Sequence, residues 1–139
     1  MKPEDLIGKK LIISKGTTAE TYFTKNYPEV ELLKFDQYAE AYSALLDGRG
    51  AGMSTDNTEV LAWALENPGY KVGIESLGEL DTIAAAVQKG NTSLLEWINN
   101  EIVELGKENF FHADYEATLR STYGAESDAD ALVVEGGKL

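Results

Sequence analysis

Two short stretches carry groups suited to gripping a small charged molecule. The first, Ser14-Lys15-Gly16-Thr17-Thr18-Ala19-Glu20, leaves an apolar run and enters a helix-like one. Free N–H groups at a helix start, helped by the helix dipole and two hydroxyls, suit an anionic oxygen cluster, and a carboxylate best. The stretch has neither G-x-x-x-x-G-K-[ST] nor G-x-G-x-x-G, so it does not support a nucleotide phosphate cradle. Local helix chemistry offers another explanation. With Thr17 as N-cap, Glu20 falls at the third helical position, the spacing of a capping box. The second stretch, Ser54-Thr55-Asp56-Asn57-Thr58-Glu59, presents the same choice. Asp56 and Glu59 fit a capping box, whereas an Asp56 carboxylate on the lip of the same sheet would take the ammonium end of a zwitterion.

Other residue types point to little chemistry. His112 is the only histidine and there is no cysteine, so the chain offers neither a thiolate nucleophile nor a second imidazole or thiolate for a metal site. A packing or surface role is expected for His112. No serine lies in G-x-S-x-G, and acidic residues are too abundant for any carboxylate pair to signal acid–base catalysis. The expectation is no catalytic residue, no metal and no cofactor. Trp63 and Trp97 sit among leucines and isoleucines and read as core or edge packing.

The elements that must position the two stretches follow from periodicity and breakers. Residues 9–14 read as a buried strand, Thr17–Tyr27 as a helix stopped by Pro28, and 30–35 as a second strand. Asp36 is the expected N-cap of a helix over Gln37–Asp47 with Tyr38, Tyr42 and Leu45 on one face, and Gly48 is its stop. Residues 51–55 form a weaker strand. Asp56 opens a helix turning Val60, Leu61, Ala64 and Leu65 inward, closed by Asn67-Pro68-Gly69. Further strands are expected at Tyr70–Glu75 and Thr82–Val87. This alternation implies βαβ units and a mainly parallel sheet. From 92 onward the pattern is helical only, with Leu95, Ile98, Ile102 and Leu105 on one stripe and a second helix over Asn109–Thr122. Residues 125–139 read as a mostly loose acidic tail.

Composition narrows the class of function. A chain of 139 residues suits about one domain, and 43% apolar with 26% charged residues fits a folded globular chain rather than disorder. A formal net charge of -12 argues against nucleic acid as a partner, since phosphate binding needs a positive field. No apolar run reaches the ~18 residues of a membrane span. The opening Met1-Lys2-Pro3-Glu4-Asp5 has no signal-peptide character, which fits a cytosolic chain, a mature form or a cut-out domain equally.

Asp5-Leu6-Ile7-Gly8-Lys9-Lys10, Lys15-Gly16-Thr17-Thr18-Ala19-Glu20, Thr55-Asp56-Asn57-Thr58 and Gln88-Lys89-Gly90-Asn91-Thr92, in this order and spacing, resemble the polar amino acid binding proteins of ABC importers. These form the type II periplasmic binding protein family, which includes glutamine and glutamate binders. The resemblance runs from Asp5 to Gly124. It implies an α/β lobe with a mostly parallel sheet flanked by helices, followed by C-terminal helices. Residues 4–82 correspond to the second of the family's two lobes, and 83–124 to the return crossing and the helices that pack on a first lobe absent from this sequence; 125–139 is the acidic tail. The implied ligand contacts are Thr17 and Thr18 with the backbone near Gly16 for the carboxylate, Asp56 for the α-ammonium, and Ser14 where relatives often carry a glutamine or lysine aimed at the ligand side chain. Implied partners are a polar amino acid such as glutamine or glutamate and the membrane subunits of an importer, in an extracytoplasmic setting. A homodimer through the C-terminal helices, whose stripe would otherwise be uncovered, is also expected. Dehydratases on the same scaffold and sensory domains of membrane receptors are the competing readings. Two departures stand out: Gly50-Ala51-Gly52 replaces the usual valine-aspartate-alanine, and Ile83-Ala84 stands where tyrosine-glycine commonly begins the crossing.

Overall fold

The computed structural model describes residues 1–79 and 83–138. It separates into two units, Met1–Gly78 and Glu79–Leu139.

The first unit is built on Lys-Leu-Ile-Ile-Ser, which forms the central strand β1 (Lys10–Ser14). Strands β2 (Glu31–Phe35) and β3 (Gly52–Ser54) flank it in the order β2-β1-β3, both parallel to it. Side chains on a strand alternate between faces, so β1 feeds two cores. Leu11 and Ile13 pack with Leu6, Phe23 and Val30 on one side, while Ile12 packs with Ala41, Ala44 and Leu45 on the other. Helix α1 (Thr18–Asn26) supplies Phe23 to the first core and ends at Tyr27, just before Pro28. Helices α2 (Tyr38–Leu46) and α3 (Asn57–Glu66) complete the βαβ pattern.

Several expected details change. Asp36 does not cap α2; Gln37 holds that position without a side-chain bond, and the Asp36 carboxylate pairs with Lys15 Nζ at 2.8 Å. The buried face of α2 uses the small Ala41 and Ala44 with Leu45, leaving Tyr38 exposed. Leu65 is likewise exposed. Trp63 stacks on Tyr42 with ring centroids 4.8 Å apart, and Tyr70 meets it edge-on at 5.0 Å. The glycines before β3 are not equivalent. A Cβ at Gly50 would lie 2.8 Å from Ile12 Cγ1, while one at Gly52 would make ordinary contact. Gly50 is therefore required by close approach rather than by backbone freedom.

Residues 70–75 and 83–87 form no strand, and Thr82 lies outside the described residues. An extended segment needs a neighbour for its N–H and C=O groups, and among the described residues β2 and β3 stand as edges without a further strand.

The second unit is helical. It runs through α4 (Thr92–Lys107), α5 (Phe110–Asp114), a π-helical stretch over Tyr115–Leu119, α6 (Arg120–Tyr123) and α7 (Ala129–Leu132). Asn91 caps α4 by accepting from the Leu94 amide. Within this unit Leu94, Leu95, Trp97, Val103 and Phe110 are exposed, so Trp97 is not core packing here. None of the described helices is long and apolar enough to cross a membrane.

The end of the chain is not a loose tail. Glu135 is 2% exposed, and Gly136 crosses α4 so closely that a Cβ on Gly106 would fall 2.2 Å from the Gly136 carbonyl oxygen. Glu135 accepts from the backbone N–H groups of His112 (2.8 Å) and Phe111 (3.4 Å), the orphan donors at the start of α5. Its Oε1 also meets His112 Nδ1 at 2.8 Å, and His112 Nε2 reaches Asp130 on α7 at 3.1 Å. Hydrogen bonds donated by the ring to Glu135, and then to Asp130, raise the His112 pKa above its ordinary 6.5, against the opposing effect of burial. For Glu135, burial favours the neutral acid, but the three His112 and Phe111 donors together hold the carboxyl below its ordinary 4.5.

Candidate functional site

Parallel pairing fixes where the two candidate stretches emerge. In the β1/β3 register Ile13 faces Ser54, so Ser14-to-Thr18 and Thr55-Asp56 leave adjacent strands at the same, C-terminal edge of the sheet. This is the edge where open α/β sheets place ligands. The register alone brings Ser14, Gly16, Thr17, Thr18 and Asp56 to one rim.

The β1-to-α1 turn is tightly determined. Gly16 adopts φ +73°, a left-handed conformation that glycine takes without a Cβ penalty. Thr17 is the N-cap: its Oγ1 donates to the Ser14 carbonyl (2.8 Å) and accepts from the Glu20 amide (3.3 Å). Helix capping is therefore realised at this site, but in a displaced form. Glu20 reaches past the cap and accepts the Gly16 N–H at 2.7 Å. Its other oxygen pairs with Lys34 Nζ of β2 at 2.7 Å. Lys34 and then the Gly16 N–H hold the Glu20 carboxyl below the usual range.

These bonds divide the donors of the turn. The Gly16 and Glu20 amides are engaged, while Thr18 and Ala19 occupy the first two helical positions, whose N–H groups have no intrahelical acceptor. The Thr18 side chain is exposed. Ser14 is 6% exposed, and its Oγ is buried without a hydrogen-bond partner. An orphaned buried hydroxyl is uncommon in folded proteins.

At the β3-to-α3 junction the capping explanation fails. Asp56 is the N-cap of α3 by position, yet its side chain makes no cap hydrogen bond, and Glu59 accepts instead from the Tyr42 hydroxyl at 3.1 Å. Thr55 Oγ1 donates to the Tyr38 hydroxyl at 3.3 Å. The exposed Asp56 carboxylate is thus uncommitted to its own helix.

Sequence reasoning did not find Lys34 or the Lys15–Asp36 pair as parts of this rim. The Glu20 spacing was a visible signal. The strand pairing that brings Lys34 beside Ile13, and the one placing Phe35 beside Ser14, had no local signal.

No protein-family model matches the chain. A cysteine-binding protein from Campylobacter jejuni superposes with a TM-score of 0.84 at 48% identity, over 97% of this chain and 54% of that one. The chain belongs to the type II periplasmic family of amino-acid-binding proteins. Within that family, a solute receptor for L-cysteine from Neisseria gonorrhoeae is 46% identical with a TM-score of 0.80, covering 94% of this chain and 53% of the receptor. The ABC transporter glutamine-binding protein GlnH of Bacillus subtilis is 28% identical over 113 residues, which are 81% of this chain and 41% of GlnH. The chain thus spans about half the length of the relatives it matches.

Proposed function

We propose that this chain supplies one lobe of an extracytoplasmic solute-binding component that delivers a polar amino acid to the membrane subunits of an ABC importer. The carrying observation is the pairing of β1 with β3. It puts unengaged helix-start donors at Thr18 and Ala19 on the same sheet edge as an uncapped Asp56 carboxylate. A free α-amino acid has the complementary charges at its two ends. Thr18 and the α1 start would receive the α-carboxylate, Asp56 the α-ammonium, and Ser14 and Gly16 would line the floor of the turn. Binding here is non-covalent, and its energy would favour a closed state of the whole receptor.

Among polar amino acids, cysteine is the first candidate, because the two structural relatives at 48% and 46% identity are named for it. Glutamine and glutamate follow, the former being the named ligand of GlnH. The 139-residue chain by itself should bind weakly, since one lobe provides part of the contacts and no enclosure. A calorimetric panel of L-cysteine, L-glutamine, L-glutamate and L-arginine tests the ranking. Millimolar or weaker affinity with cysteine ahead supports it; tight binding of any of them to this chain contradicts the one-lobe reading.

A further inference from the structure

The Glu20 carboxylate occupies an unusual place for the reading above, on which this inference rests. It is an anion stationed beside the very turn that is to receive another anion. Left alone, it would compete for the helix start and repel the ligand carboxylate. The geometry resolves the conflict in two ways. Lys34 Nζ, 2.7 Å from Glu20 Oε1, balances the charge. Glu20 Oε2 takes the N–H of Gly16, which precedes the cap, and leaves the Thr18 and Ala19 amides to the ligand.

We infer that Glu20, backed by Lys34, is the positioning residue of the carboxylate-holding turn: it fixes the Gly16 N–H so that the next donors point outward from the sheet edge. Four linked bonds make the turn a closed circuit. Lys34 holds Glu20, Glu20 holds the Gly16 amide, Thr17 Oγ1 holds the Ser14 carbonyl, and the same Oγ1 receives the Glu20 amide. Gly16 at φ +73° has broad conformational freedom in isolation, so a single charge-assisted bond to its N–H removes much of that freedom. Pre-ordering of this kind lowers the ordering cost that binding must otherwise meet. Glu20 thus acts through Gly16 and does not itself touch the ligand.

The test uses the 139-residue chain with 15N labelling, titrated with L-cysteine, in wild type and in Glu20→Ala, Glu20→Gln and Lys34→Met. The Gly16 amide proton of the wild type should resonate downfield, as a short charge-assisted bond requires. Glu20→Ala should move it upfield and weaken ligand binding by about 5- to 10-fold, with the fold intact by circular dichroism. Glu20→Gln keeps an acceptor for Gly16 and should restore most of the affinity. Lys34→Met leaves Glu20 uncompensated and should weaken carboxylate ligands while leaving cysteamine, which has no carboxylate, unchanged. If the wild type shows no shifts at Thr18 and Asp56 with L-cysteine, L-glutamine, L-glutamate or L-arginine, the proposed function fails. If it shows them but Glu20→Ala binds as well as wild type, this inference alone is overturned. The same holds if Gln and Ala variants lose affinity equally.

Discussion

Among the described residues, two helix starts have a glutamate accepting nearby backbone N–H groups, just ahead of the cap at α1 and within the first turn at α5, and the two arrangements differ in what they leave free. At α1, Glu20 reaches four residues back along its own chain to the Gly16 N–H, and Lys34 of the neighbouring strand steadies it. At α5, Glu135 comes from more than twenty residues away to take the Phe111 and His112 amides, and it is buried in doing so. The first arrangement organises a rim and leaves donors over. The second consumes its donors and fastens the end of the chain to α4 and α5. A helix start alone therefore says little about ligand binding; what matters is whether the protein fills it from within.

The contrast can be pressed hardest at the Gly106–Gly136 crossing that lets Glu135 reach its seat. Alanine in place of a helical glycine ordinarily stabilises by about 1 kcal/mol. Here the added methyl would meet backbone at 2.2 Å, so Gly106→Ala should instead cost about 3 kcal/mol or more. Hydrogen exchange across 92–138 would reveal it. Protection retained in the variant would show that the crossing does not hold the unit together.

A matched pair within the first unit comes next. Gly50→Ala forces a methyl to 2.8 Å from Ile12 and should cost about 1–3 kcal/mol, whereas Gly52→Ala should be close to neutral. Chemical denaturation of the two variants compares them directly. Equal midpoints would mean Ile12 adjusts freely.

Exchanging the two glutamates sharpens the comparison itself. Glu135→Ala should lower the melting temperature of the helical unit by more than Glu20→Ala lowers that of the sheet unit. The former strands two amides and a histidine in a buried place; the latter strands one amide near solvent.

The smallest effect expected is on pH. His112 has its pKa raised on folding, so its contribution is present below 6.5 and fades as pH climbs through the folded value. Glu135 has its pKa lowered, so its contribution is present above 4.5 and fades as pH falls through the folded value. The clasp should therefore be strongest between 4.5 and 6.5. Above that window neutral imidazole can donate from only one nitrogen, and the bond to Asp130 on α7 should go first. Thermal melts from pH 4 to 9, with Asp130→Asn showing a flatter alkaline limb, would check it.

What could be seen in the sequence tracks how local each cause is. The β1 strand, the Thr17 cap and the halt before Pro28 follow from neighbours a few residues apart, and they stand where expected. The βαβ alternation likewise leads to the parallel sheet. Asp36 was misassigned because a capping residue and an ion-pair partner look alike until β2 is laid beside β1. The segments 70–75 and 83–87 have strand-like composition, but composition does not supply a partner edge. Glu135 lay among other acidic residues in what reads as a tail, with nothing local to mark it as the one that becomes buried. At the rim, sequence spacing raises two capping boxes, Thr17 with Glu20 of the usual type and Asp56 with Glu59 without the usual serine or threonine. Folding realised a displaced one at Thr17 and dissolved the other, leaving Asp56 available.

The most direct test of the two-ended grip is a nitrogen-15 NMR titration of this chain with three molecules differing at one end: L-cysteine, cysteamine and 3-mercaptopropionate. The account expects L-cysteine to shift the Thr18 and Ala19 amides together with those of residues 55–57. Cysteamine should spare the first set, and 3-mercaptopropionate the second. Identical shift patterns for all three, or shifts from L-cysteine that leave either junction untouched, would contradict it.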